Sequence, residues 1–232
     1  MRLDKFLCEM KMGSRSQVKA FVRQGLVTVN GTVVKSADIK VNEFTDAICF
    51  HGDKIQYRQF VYYMMNKPQG VVSATQDNTA QTVVSLLGNC QREDIFPVGR
   101  LDKDTTGLLL LTNDGELAHR MLSPKRHVDK TYRVVAAHPL TEEEIFQLEQ
   151  GVDIGDDEPA MPAKVEVLDE RIVLLTIQEG RFHQVKRMLR AVNNSVLELE
   201  RVTFGPLRLD ANLKPGEYRE LTSEEIAQCG NC

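Results

Sequence analysis

Four consecutive leucines, Leu108 to Leu111, follow directly on a polar loop bracketed by Gly99 and Gly107. Such a run has to be buried, so the chain must build a core that covers it and must hold the preceding loop against that core. The loop reads GRLDKDTTG and carries Arg100, Asp102, Asp104, Thr105 and Thr106. A carboxylate on a loop braced by a rigid core element is well placed to be a fixed reactive group. Acids in such a loop serve equally well as turn caps for the element that follows, and composition does not choose between these two roles.

The means to build that core are present. Apolar residues make up 42% of the 232 positions and charged residues 27%, which excludes disordered and collagen-like chains and leaves room for one large or two unequal domains. The longest apolar stretches, Phe60 to Met65 and the leucine run, fall far short of the ~18 residues of a spanning helix. The N-terminal segment MRLDKFLCEMKMG mixes charge into its apolar residues, unlike a secretory signal. A soluble, cytoplasmic protein without membrane contact is expected, and its oligomeric state is expected to be monomeric. Cys8, Cys49, Cys90, Cys229 and Cys232 are odd in number and scattered, which predicts free thiols. Only Cys229 and Cys232 have C-x-x-C spacing, with no second pair and no nearby histidine. The five histidines show no H-x-x-x-H grouping. No metal is expected.

Charge divides the chain. Residues 1–58 hold 10 Lys/Arg against 6 Asp/Glu, net +4, and residues 59–232 hold 19 against 27, net -8. Such asymmetry points to a polyanion-binding module joined to a second domain. Within the first part, SRSQVKAFVRQG has Ser14 and Gln17 at capping-box spacing and Gly25 at a C-cap position, which predicts a helix. Val18, Phe21 and Val22 form its inward stripe, and Arg15, Lys19 and Arg23 form a second, basic stripe. LVTVNGTVV then reads as a hairpin turning at Asn30-Gly31. This order, with the RLDKFL opening and a short strand near Ala47 to Phe50, resembles an S4-type RNA-binding domain. The resemblance implies RNA contacts by Arg15, Lys19 and Arg23, through backbone and shape rather than sequence. The polar stretch His51 to Gln59 reads as a linker.

Residues 59–232 alternate strand-like runs (Phe60 to Met65, Tyr132 to Ala136, Arg171 to Ile177, Val196 to Val202) with helical patterns (Thr82 to Leu87, Thr141 to Glu149, His183 to Val192). With no dinucleotide, P-loop or nucleophile-elbow string, the expectation is an α+β domain with a mixed, mainly antiparallel sheet and flanking helices. In the last helical pattern Val185, Met188, Leu189 and Val192 form the core stripe, and Lys186 lies about 100° off it, at its edge.

Four strings occur in order: NKPQG (Asn66 to Gly70), GRLDKDTTG, DKTYRV (Asp129 to Val134) and EGRFHQVKRM (Glu179 to Met188). Together they resemble the RNA pseudouridine synthases, specifically the branch that carries an N-terminal S4 domain and modifies small-subunit ribosomal RNA. The resemblance spans the chain and implies a cofactor-free isomerisation of uridine to pseudouridine in 16S ribosomal RNA, at uridine 516 in standard bacterial numbering, within a small-subunit assembly intermediate. It further implies Asp102 as the catalytic carboxylate, either attacking or assisting proton removal at C2′, with Asp104 as the fallback acid. Tyr132 is implied as the ring stacked on the target base and Lys186 as the cation paired with the aspartate. Arg100, Arg181, His183, Gln184 and Arg187 are candidates for RNA contacts, and Val185 and Leu199 for the wall of the uracil pocket. The rivals are a related synthase acting on large-subunit (23S) ribosomal RNA, a non-catalytic S4-bearing assembly factor, and a non-RNA enzyme with an aspartyl nucleophile.

Overall fold

The computed structural model describes residues 1–88, 92 and 94–230. It separates into two compact units, Met1–Val61 with Gly88–Ile95, and Tyr62–Leu87 with Phe96–Cys232.

The first unit sets α1 (Leu3–Glu9) and α2 (Arg15–Gln24) on a four-stranded antiparallel sheet of β1 (Val27–Val29), β2 (Thr32–Val33), β3 (Ile48–Phe50) and β4 (Asp53–Lys54), in the order β2-β1-β3-β4. Local chemistry starts and stops α2. The Ser14 hydroxyl accepts from the Gln17 amide, the Gln17 side chain accepts from the Ser14 amide at 2.8 Å, and Gly25 ends the helix at φ +81°. Val18 and Val22 are buried among Leu3, Phe6 and Leu7, and Phe21 rests against Phe50. Arg15, Lys19 and Arg23 are exposed. Asn30 and Gly31 both take positive φ, as a type I′ hairpin turn requires. The segment expected to be a linker is instead part of this unit. His51 and Gly52 turn the chain at positive φ, Asp53–Lys54 pairs with β3, and Tyr57 stacks on Phe6. Its polar composition is that of a turn and an exposed edge strand.

The second unit is one mixed sheet. Its strands are β5 (Tyr62–Lys67), β6 (Phe96–Pro97), β7 (Thr106–Thr112), β8 (Lys130–Ala136), β9 (Lys164–Asp169), β10 (Ile172–Ile177), β11 (Val196–Phe204), β12 (Leu207–Arg208) and β13 (Tyr218–Glu220). The main order is β13-β5-β7-β11-β8-β10-β9; β7 and β11 run parallel and the other pairings are antiparallel. The leucine run is β7, near the middle of the sheet and buried on both faces, with all four leucines at 0% exposure. Around it run α3 (Gly115–Leu122), α4 (Glu142–Gln150), α5 (Gln184–Ala191) and α6 (Ser223–Gly230). Asp114 caps α3, accepting from the Glu116 and Leu117 amides, and Thr141 with Glu144 forms a capping box on α4. The helix expected at Thr82 to Leu87 is only a 3-10 turn over Ser85–Leu87. Ser85 and Thr82 satisfy each other's backbone groups there, which competes with helix propagation.

Among the described residues, no helix is long and apolar enough to cross a membrane, and no three His, Cys, Asp or Glu side chains converge as a metal site. Among the described residues Cys8, Cys49 and Cys229 form no disulfide with one another; Cys90 and Cys232, and with the latter the C-x-x-C spacing, lie outside the described residues.

Candidate active site

The Asp102 loop leads into β7, and its backbone is clamped on three sides by the chain that leaves β5. Lys67 donates to the Thr105 carbonyl at 2.9 Å, and the Gly70 amide donates to the Lys103 carbonyl at 2.7 Å. Ser73 both donates to the Leu101 carbonyl and accepts from the Leu101 amide, at 2.9 and 3.0 Å. Every second residue of the loop is thus tied down, and Asp102 sits between two of the ties. Gly107 closes the loop. At φ +96° it pairs with Arg201 of β11, where a Cβ would fall against the Arg201 carbonyl oxygen and 2.7 Å from its amide nitrogen. Only glycine fits there.

Lys67 is fully buried. Burial pulls its ammonium down to about 8, and the charges of Asp104 and Asp102 oppose that fall. It is a site residue that sequence reasoning left unassigned, although the NKPQG string contains it. The one available signal was a lysine ending a largely apolar strand.

A second element brings the cation. In α5, Val185, Met188 and Leu189 are buried, with Val192 just past the helix, and Lys186 lies at the edge of this stripe. Its Nζ stands 3.3 Å from Asp102 Oδ2 and 2.6 Å from Asp104 Oδ1, so one ammonium bridges two carboxylates. The hydrogen bond from Lys186 holds the Asp104 carboxyl below its usual range. His183, at φ +50° in the left-handed region, precedes α5 and places Nε2 3.4 Å from Asp102 Oδ1. Its ring stacks at 3.8 Å on Phe182, which is three-quarters exposed.

Two connected spaces meet at Asp102. The outer one is an open cleft of about 730 Å³ lined by Gln69, Gly70, Asp102, Lys103, Asp104, His183 and Lys186. The inner one is a recess of about 70 Å³ where Arg100, Asp102, Tyr132, Val185, Lys186 and Leu199 converge. Asp102 lines both. Tyr132 reaches the recess because β8 alternates, with Lys130, Tyr132, Val134 and Ala136 on its buried face. Arg100 is exposed at the rim.

Three of the anticipated RNA contacts have other occupations. Arg181 binds Glu179 and the carbonyls of Glu158 and Pro159. Arg187 binds the Ile154 carbonyl and Asp156. Gln184 is buried, donating to Glu179 and accepting from the Arg181 amide. The two arginines fasten the acidic loop around residues 154–159, and Gln184 ties the start of α5 to Glu179 and Arg181. Their signal in the sequence, clustered polar residues beside a motif, is the same for a ligand contact and for an internal brace.

Residues 61–191 match the RNA pseudouridylate synthase family, and residues 1–47 match the S4 domain. The chain belongs to the RNA pseudouridylate synthase family. It is 50% identical to an uncharacterized RNA pseudouridine synthase of Bacillus subtilis, over 97% of each chain. It is 45% identical to ribosomal small subunit pseudouridine synthase A of Vibrio cholerae, over 98% of each. A solved pseudouridylate synthase structure superposes with a TM-score of 0.71 at 42% identity, covering 99% of both chains. The protein is therefore an RNA pseudouridine synthase, an isomerase with an S4 domain ahead of a mixed-sheet synthase domain.

Proposed function

We propose that this synthase converts a uridine of small-subunit (16S) ribosomal RNA, uridine 516 in standard bacterial numbering, into pseudouridine, with Asp102 as its catalytic carboxylate. The observation that carries this reading is the placement of Asp102 where cleft and recess meet, within 3.4 Å of His183 and 3.3 Å of Lys186. The reaction breaks the N1–C1′ bond, turns the uracil and joins C5 to C1′, while the proton on C5 is lost and N1 gains one. Atoms and charge balance without an external reactant. An anion beside C1′ is needed to break the glycosidic bond, and Lys186, 3.3 Å from Asp102 Oδ2, pairs with that anion and orients it. Tyr132, Val185 and Leu199 give an otherwise polar recess apolar surfaces that suit a flat base taken out of its stack.

Asp104 is the nearer carboxylate to Lys186, but its side chain is 60% exposed against 29% for Asp102. Only Asp102 also lines the recess. The second acid therefore tethers the lysine rather than meeting the base.

Residues 1–58 form the RNA-docking module of this reading and residues 59–232 the catalytic module. Arg15, Lys19 and Arg23 contact phosphates, and Arg100 at the rim adds a fourth contact. The small-subunit target draws its support from the relatives named ribosomal small subunit pseudouridine synthase A. Mapping pseudouridines in ribosomal RNA from cells with and without this protein tests the assignment. Loss of a single small-subunit site is expected. Loss of a large-subunit site, with the small subunit unchanged, would refute it.

A further inference from the structure

Arg201 is 2% exposed in the middle of β11. Its Nε donates to the Leu108 carbonyl at 2.8 Å and its guanidinium lies over the Phe204 ring, 4.7 Å from the centroid. Nη2 is buried with no acceptor in bonding geometry. Burial pulls the guanidinium below its usual value, and Tyr132 pulls it back. A buried cation without a carboxylate is expensive, and an apolar side chain of similar size avoids the penalty. What the guanidinium faces must therefore account for it.

It faces Tyr132. The two residues are direct cross-strand partners of β11 and β8, so their side chains leave the same face of the sheet, with Cβ atoms roughly 5 Å apart. A bulge immediately after Arg201 sets two residues of β11 against one step of β8, which re-aims the side chain beside it. The backbone of Arg201 also lies in register with Gly107, the glycine that closes the Asp102 loop. One buried residue thus touches both the aspartate loop and the tyrosine of the recess.

Arginine has donors and no acceptor, whereas a phenol is both. A hydroxyl turned toward the guanidinium presents its oxygen there and sends its own proton the other way, into the recess. We propose that Arg201 is a positioning residue for pseudouridine formation, acting through Tyr132 by holding its ring plane and directing its hydroxyl proton into the recess. The proposal rests on the reading of the site given above.

The test is a double-mutant cycle on the full-length protein, read as the single-turnover rate of pseudouridine formation on a target RNA, beside RNA affinity and melting temperature. Arg201→Met should slow turnover about thirtyfold or more, with RNA affinity within about threefold, and Arg201→Lys should recover part of the loss. In a Tyr132→Phe background, Arg201→Met should cost less than about threefold, because the group it acts through is gone. An equal loss in both backgrounds, a wild-type rate in Arg201→Met, or no recovery in Arg201→Lys overturns the inference. If Arg201→Met does not fold, Arg201→Lys carries the same comparison in both backgrounds. If Tyr132→Phe has no measurable turnover, ring-labelled tyrosine NMR decides. The Tyr132 signal, assigned by its loss in Tyr132→Phe, should be single in wild type and broadened or split in the Arg201 variant, and an unchanged signal overturns the proposal. A wild-type protein that makes no pseudouridine would defeat the proposed function instead.

Discussion

Lys67→Met removes the clamp beneath the Asp102 loop, and its consequences separate by pH. The lysine donates to the carbonyls of Thr105 and Pro68, at 2.9 and 3.1 Å, from a fully buried position. Leaving the buried Thr105 carbonyl and the part-buried Pro68 carbonyl unpaired costs up to about 1–3 kcal/mol each. Against this, the wild type carries the penalty of burying an ammonium. A fall from 10.5 to about 8 corresponds to about 3 kcal/mol at neutral pH. The two effects nearly cancel, so at pH 7 the variant should be destabilised by no more than about 3 kcal/mol. Because folding lowers this pKa, the unfolded chain binds more protons than the folded one between pH 8 and 10.5, and Lys67 makes wild-type stability rise with pH in that window. The gap between wild type and variant should therefore widen by about 3 kcal/mol from pH 8 to 10.5. Urea unfolding followed by circular dichroism at four or five pH values measures it. A gap that stays constant or narrows refutes the buried, depressed lysine. Single-turnover rates at pH 7 should fall at least tenfold, because the loop that presents Asp102 loses its support at Thr105.

Other consequences are as direct. Gly107→Ala should destabilise the synthase domain by about 2 kcal/mol or more, from the clash with the Arg201 backbone and strain at φ +96°; a melting temperature equal to wild type would contradict the close approach. Lys186→Met should slow pseudouridine formation strongly and let the Asp104 carboxyl return toward its ordinary range, read by carboxyl-carbon NMR titration. Arg187→Met should instead free the loop around Asp156, seen as faster proteolysis near residues 154–159 with the chemical rate within a few-fold of wild type. Replacing Arg15, Lys19 and Arg23 with glutamine should flatten the salt dependence of RNA binding by about 2 in log–log slope; an unchanged slope would remove α2 from the RNA interface.

The parts of this molecule legible in its sequence are those decided by near neighbours. Ser14, Gln17 and Gly25 bound α2 through bonds no more than a few residues long, and Asn30-Gly31 turns its hairpin for reasons internal to the dipeptide. The core stripe of α5, with Lys186 at its edge, follows from helical period alone. What was not legible depends on distance in the chain. The clamps on the Asp102 loop join residues 28 and 38 positions apart, and no local pattern marks Lys67 or Ser73 as partners of that loop. Arg201 sits in a strand whose apolar pattern was visible, but its partner Tyr132, on the neighbouring strand, lies far away in the chain. Arg181, Gln184 and Arg187 mark the opposite difficulty. Their proximity to the motif was legible, while the choice between RNA and an internal partner, the loop at 154–159 for the arginines and Glu179 for Gln184, depends on what folds back against them.

The central claim is that the carboxylate of Asp102 performs the isomerisation. Asp102→Asn keeps the size and the hydrogen-bonding capacity of the side chain and deletes the charge. Single-turnover pseudouridine formation at saturating enzyme, measured with RNA affinity on the same sample, isolates that change. The expected result is no detectable pseudouridine with RNA affinity within a few-fold of wild type. More than about a tenth of the wild-type rate, a barrier raised by less than ~1.4 kcal/mol, would contradict it.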